Sequence, residues 1–235
     1  MGSLTPPPIA LLPARGGSKR IPRKNIVDLC GRPLLSYAIE TCLNADIFTE
    51  VIVSTDDTEI ADIARQWGAT ADMRPDDLAG DRTPVTEVCA ELLTRRFRTE
   101  TAPDSFCLVY PMAAFIEASD LVASAKILVN QDVVLGVSHY PMHPYKALVE
   151  RDGYLQALWP EQNQQQSQTY PDVLAANGSF VWARTEQFLA APNFYPKRLA
   201  GYVMPFERAV DIDTSEDLDR ARQLMRLRLM AKGDG

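Results

Sequence analysis

Histidine is nearly absent from this sequence of 235 residues; the two present are His139 and His143. They are four apart, but Pro141 and Pro144 break the helix that would bring them onto one face, so a zinc pair is not expected. Cysteine is also sparse. Cys30, Cys42, Cys89 and Cys107 lie far apart with no C-x-x-C pair, which argues against a zinc cluster or a disulfide framework and for reduced core thiols. Positive charge is not in excess: the net charge is −7, so a broad surface for nucleic acid is not expected and an anionic ligand must be met by a local basic cluster. No apolar run reaches transmembrane length. Residues 1–8 lack a signal-peptide core, and Pro6 stands where myristoylation needs Ser or Thr. No membrane partner is expected, and a soluble cytoplasmic protein is the default. Glycine and proline are not in excess, and 46% of the residues are hydrophobic, so the chain is globular. Residues 1–8 read as a disordered lead, and 9–235 as a single domain.

What is present is an alternation of strand and helix. Ile9–Pro13, Glu50–Ser54, Ala71–Met73, Ser105–Tyr110 and Val133–Ser138 read as strands. Between them, Pro33–Asn44, Thr58–Trp67, a segment opening at Pro84, and Ser119–Val129 carry apolar residues at helical spacing, with Gly68 ending the second helix. This rhythm predicts an α/β fold, a mostly parallel Rossmann-like sheet with helices on both faces, with ligands bound beyond the carboxyl ends of the strands. The rhythm breaks near residue 140. Asp152-Gly153 predicts a hairpin between Lys146–Arg151 and Tyr154–Trp159. The Gln-rich 162–168 stretch reads as ordered extended chain. Ser179–Trp182 and Tyr202–Phe206 read as strands, and Glu216–Met230 as a final helix capped by Ser215.

The loop after the first strand, Pro13-Ala14-Arg15-Gly16-Gly17-Ser18-Lys19-Arg20-Ile21-Pro22-Arg23-Lys24-Asn25, holds five cations in thirteen residues. Gly16 and Gly17 let backbone amides turn toward an anion. Cations and amides at a strand's carboxyl end suit a triphosphate. The spacing matches neither the Walker A loop nor G-x-G-x-x-G. Near the other end, Asp211 and Asp213 alternate around Ile212. In extended chain they share a face and form a hard oxygen site fit for Mg²⁺ bridging phosphates. The alternative is an acidic cluster, with Glu216 and Asp217, that complements a helix dipole. A phosphate loop in the same chain favours the metal.

These segments resemble the CMP-sialic acid synthetase family of cytidylyltransferases. The resemblance is carried by the run from Ile9 to Asn25, Val53-Ser54-Thr55-Asp56-Asp57, Arg74-Pro75, Asp81-Arg82-Thr83-Pro84 and Val210-Asp211-Ile212-Asp213-Thr214. It implies a sugar-nucleotide transferase fold and an enzyme that joins CTP to a nine-carbon acidic sugar and releases pyrophosphate. By resemblance, Arg15, Lys24, Asp211 and Asp213 are catalytic, and Asp211 and Asp213 ligate Mg²⁺. Ala14, Arg15, Gly16, Gly17, Ser18, Lys19, Lys24, Asn25, Arg74 and Thr83 meet the nucleotide. Tyr110, Lys146 and Asn177 are the candidates for the acceptor.

The segments Trp159-Pro160-Glu161, Ser167–Asp172 and Gly178–Trp182 are more similar to the pseudaminic acid branch than to the sialic acid branch. Ala175-Ala176-Asn177-Gly178 lacks the arginine of the sialic acid enzymes, and Tyr110-Pro111-Met112-Ala113-Ala114 matches neither branch. Tyr110 and Met112 suggest a less polar acceptor pocket. Pseudaminic acid is the expected acceptor, with N-acetylneuraminate and legionaminate as alternatives. The resemblance also implies a homodimer in which residues 140–182 form a dimerisation and acceptor arm. A nucleotide-sensing scaffold of the same fold is the non-enzymatic alternative, and the intact aspartate pair argues against it.

Overall fold

The computed structural model describes residues 6–80, 82–98 and 101–233. Residues 1–5 of the expected lead, and Asp81 of the Asp81–Pro84 motif, lie outside them. In chain order the elements are β1 (Ile9–Pro13), β2 (Asp28–Leu29), β3 (Arg32–Pro33), α1 (Leu34–Asn44), β4 (Glu50–Thr55), α2 (Thr58–Gln66), β5 (Thr70–Met73) and α3 (Val85–Arg96). There follow β6 (Ser105–Val109), α4 (Ala118–Ile127), β7 (Val133–His139), β8 (Leu148–Arg151), β9 (Tyr154–Ala157), α5 (Pro160–Asn163), β10 (Leu174–Arg184), α6 (Thr185–Ala190), β11 (Leu199–Val203) and α7 (Ser215–Gly233).

The main sheet has the order β11-β7-β10-β6-β1-β4-β5. All its neighbouring pairs are parallel except those of β10, which runs antiparallel to both β6 and β7. The alternation of side chains along β1 explains why the sheet is covered on both faces. Ala10 and Leu12 join Leu35, Ile39 and Ile60 on the α1 and α2 side, whereas Ile9 and Leu11 join Leu92, Leu93 and Phe188 on the α3 and α6 side. A third cluster packs Ile212, Leu218 and Met225 of the chain's end against Ile21, Leu29 and Leu34 near its start. No helix of the described residues is long and apolar enough to cross a membrane.

The expected hairpin at Asp152-Gly153 is present, with β8 and β9 paired antiparallel, while other local expectations change. Asp152 and Gly153 both have positive φ, as the tight β8–β9 turn requires. The Gln-rich stretch is not extended: it includes the end of α5 and a 3-10 turn at Ser167–Thr169. The cap of α7 is Thr214 rather than Ser215. The Asp217 amide donates to Thr214 Oγ1 at 3.2 Å and the Thr214 amide to Asp217 Oδ2 at 2.8 Å, a reciprocal capping box. The 140–182 segment divides, with β8, β9 and α5 outside the main sheet and the residues from Leu174 within β10.

One buried charge ties the late chain to the core. Asp120, at the start of α4, is 1% exposed. It accepts from the Arg208 guanidinium on both oxygens, from the Tyr202 hydroxyl at 3.0 Å and from the Glu117 amide at 2.8 Å. Arg208 sits in the turn that leads to Asp211, so this pair locates that segment. Removing the cation leaves a buried carboxylate uncompensated. Arg208→Ala is expected to cost about 3 kcal/mol in denaturant unfolding, and Tyr202→Phe about 1 kcal/mol.

Candidate active site

β1 is the switch point of the sheet: the chain runs from β1 outward through β4 and β5, then returns to β6 on the other side. The loops after β1 and β6 therefore diverge and leave a crevice at the strands' carboxyl ends. A cavity of about 550 Å³ lies there. Arg15, Ser18, Lys19, Arg20, Lys24 and Asn25 of the first loop line it, with Arg74, Thr83, Val85, Val88 and the Tyr110–Met112 segment.

The first loop is held by acids of the β4–α2 turn. The Gly16 amide donates to Asp56 Oδ1 at 2.8 Å. A Cβ at Gly16 would come within 2.6 Å of Asp57 Oδ2, which is why a glycine stands there. Arg23 has φ +56° and forks onto Asp57 and Glu59. Asp57 also caps α2 by accepting from the Ile60 amide at 3.1 Å. The Arg23 hydrogen bond, opposed by burial and helped by the Ile60 amide, holds the Asp57 carboxyl below its ordinary range. Arg23 is thus an anchor, although it belongs to the cationic run. Asn25 is buried and donates to the Arg15 carbonyl at 2.8 Å, closing the loop on itself. Lys24 Nζ reaches across to the Ile212 carbonyl at 3.0 Å and Asp213 Oδ1 at 3.1 Å.

Arg74 forms the floor. It is buried and donates to the Ser54 carbonyl at 2.9 Å, while its Nε has no partner among the described residues. Burial holds its pKa below the ordinary arginine value.

A second cavity of about 230 Å³ adjoins the first, and Tyr110 lines both. Its walls include Ala176 and Gly178, Phe194 and Tyr195, and Asp211. The β10–β7 register shifts between Ala176 and Val181, and Gly178 in that bulge has φ +67°. Burial raises the Tyr110 hydroxyl pKa, with smaller contributions from Cys89, Tyr195 and Asp211. Asp211 is likewise raised, first by burial and then by the charge of Asp213, with Lys24 opposing.

The predicted residues are thus distributed unevenly. Arg15, Ser18, Lys19, Lys24, Asn25, Arg74, Thr83 and Tyr110 share the first cavity, Asp211 opens on the second, and Asp213 is joined to the first loop through Lys24 and Arg20. Ala14 and Gly16 commit their amides to the Ser54 carbonyl and Asp56, and Gly17 is exposed. Asn177 turns its amide to Met204 Sδ and accepts from Ser179, and it lines neither cavity. Lys146 lies over the Tyr170 ring at 5.6 Å, within the 140–173 segment and away from both cavities of its own chain. Val85, Val88, Phe194 and Tyr195 were not predicted, because an apolar residue on a helix or in a loop carries no sign of the cavity it will line.

The family model described as cytidylyltransferase matches residues 9–234. The chain belongs to this cytidylyltransferase family. It is 32% identical to the pseudaminic acid cytidylyltransferase of Campylobacter jejuni, covering 93% of this chain and 96% of that protein. It is 30% identical to the CMP-N,N'-diacetyllegionaminic acid synthase of Legionella pneumophila, again over 93% and 96%. Among solved structures, a CMP:2-keto-3-deoxy-manno-octonic acid synthetase complexed with CTP superposes with a TM-score of 0.70 at 17% identity, over 94% of this chain and 99% of the other, and so shares the fold.

The crowding at Asp211 has a measurable sign. Because its folded-state pKa is raised, the ionised carboxylate lowers stability at neutral pH, and that loss fades as pH falls through the folded pKa. In thermal unfolding without ligands, Asp211→Asn is expected to melt above wild type at neutral pH, with the gap narrowing in acid. A variant that melts below wild type at neutral pH would show that the carboxylate is stabilising instead.

Proposed function

We propose that this cytidylyltransferase couples CTP to a nine-carbon acidic sugar, with pseudaminic acid the favoured acceptor, giving the CMP-sugar and pyrophosphate. The observation that carries this reading is the shared Tyr110 wall, with a cation-rich cavity on one side and the Asp211 cavity on the other. The larger cavity has the volume of a typical ligand site, and the smaller one mixes apolar side chains such as Leu135, Phe180 and Phe194 with polar groups of Tyr110, Tyr195 and Asp211, a lining suited to a deoxy sugar with acylated amines. The similarity to the Campylobacter relative supports pseudaminic acid. The Legionella relative, at 30% identity, keeps a legionaminate-type acceptor as the second reading.

In this reading Arg15, Lys19 and Lys24 neutralise the triphosphate, and Arg74 and Thr83 meet the nucleoside. The acceptor's anomeric hydroxyl attacks the α-phosphorus, a P–O bond forms, the bond to the β-phosphate breaks as pyrophosphate leaves, and the hydroxyl proton passes to solvent. No covalent protein nucleophile is needed: orientation and charge neutralisation carry the step. Asp211 and Asp213 would hold Mg²⁺. They are hard oxygen donors, and the Asp211 pKa is raised first by burial and then by the negative charge of Asp213, which a cation would offset. When bound, Mg²⁺ supplies neutralisation of charge on the phosphates. Lys24 ties the triphosphate loop to this pair.

The 140–173 segment exposes Met142, Tyr154 and Leu155, at 78%, 74% and 69%. Apolar exposure of this extent supports a homodimer in which this arm reaches the partner's site and brings Lys146 to the acceptor.

Pyrophosphate release from CTP is expected with a sugar acid of the pseudaminic type, to stop with a chelator and to return with Mg²⁺. Release with none of the pseudaminic, legionaminic or sialic acids would reject the reading. Arg15→Ala is expected to lower kcat/KM for CTP at least tenfold, about 1.4 kcal/mol of lost transition-state binding; unchanged kinetics would remove Arg15 from the phosphate site. Leu155→Asp is expected to shift the chain from dimer to monomer in size-exclusion chromatography with light scattering.

A further inference from the structure

Asp213 already has cations against both of its oxygens. Lys24 Nζ is 3.1 Å from Oδ1 and the Arg20 guanidinium 3.0 Å from Oδ2. Both cations come from the first loop, and both line the large cavity. They are held very differently. The Lys24 side chain is 13% exposed and also donates to the Ile212 carbonyl, so it is fixed to the segment it binds. The Arg20 side chain is 64% exposed and can leave Asp213 without disturbing anything buried.

A guanidinium against a carboxylate oxygen takes one of its lone pairs and offsets its charge, so it competes with a divalent ion for that oxygen. A triphosphate in the cavity offers Arg20 a more highly charged anion than a single carboxylate. We propose that Arg20 guards Asp213: without nucleotide it competes with the divalent cation for this carboxylate, and with nucleotide it transfers to the phosphates and leaves Oδ2 open. Arg20 is then a positioning residue that makes tight metal binding depend on nucleotide, and linkage requires the converse dependence. The inference rests on the metal reading above.

The test uses the full chain and two binding measurements. Mn²⁺ affinity is measured without nucleotide, by electron paramagnetic resonance, for wild type, Arg20→Ala, Asp213→Asn and Arg65→Ala. Arg20→Ala is expected to bind Mn²⁺ about three- to fivefold more tightly than wild type, the size of effect when one exposed ion pair stops competing. Asp213→Asn is expected to bind more weakly. Arg65→Ala, which removes the same charge from the last turn of α2, is expected to match wild type. CTP affinity is then measured calorimetrically in chelator, where Arg20→Ala is expected to lose about three- to fivefold. Equal Mn²⁺ affinity for Arg20→Ala and wild type, or a matching gain in Arg65→Ala, would overturn the guard while a weakened Asp213→Asn left the metal reading standing. Unchanged CTP affinity in Arg20→Ala would overturn the transfer to phosphate. Unchanged Mn²⁺ affinity in Asp213→Asn would overturn the metal reading, and the guard with it.

Discussion

The site depends on the reach of Lys24 across the molecule to the Ile212 carbonyl and Asp213, a separation of 188 residues in sequence. A largely buried ammonium must have acceptors, and these are placed where Ile212 is anchored in the cluster with Ile21 and Leu29. The apolar contact brings the two chain segments together, and the charged contact sets their alignment. The cationic loop and the carboxylate pair become parts of one site only because both conditions are met.

The acids near the first loop shape it. Asp56 takes the Gly16 amide, and Asp57 takes Arg23 while capping α2. The positive φ of Arg23 is held by that fork. The loop's cations therefore divide by role. Arg23 anchors the loop, Lys24 joins it to the chain's end, and Arg15, Lys19 and Arg20 line the cavity. A formal count of positive charges would have treated all five alike.

Negative charge at the far end follows the opposite logic. Burial raises the cost of ionising Asp211, and the charge of Asp213 adds to it. Carboxylates raised in this way beside a cavity are candidates for a functional site. The Asp120–Arg208 pair fixes the preceding turn through a buried, hydrogen-bonded charge.

The parallel α/β framework was legible in the sequence, as were the loop after β1 as the candidate anion site and Asp211 and Asp213 as the candidate metal pair. Those features rest on short-range rules: hydrophobic period, glycine next to cations, and carboxylates two apart. It was less informative where one segment's role depends on another. The insertion of antiparallel β10 between β6 and β7, the bulge that turns Gly178 toward Asp211, and the inward turn of Asn177 onto Met204 follow from packing across the sheet. Lys146 lies away from its own chain's cavities because the β8–β9 segment packs outside the main sheet. Arg20 shows the difference most clearly: in sequence it is one cation among five, and only the tertiary structure sets it against Asp213, because ion pairing depends on distance in space.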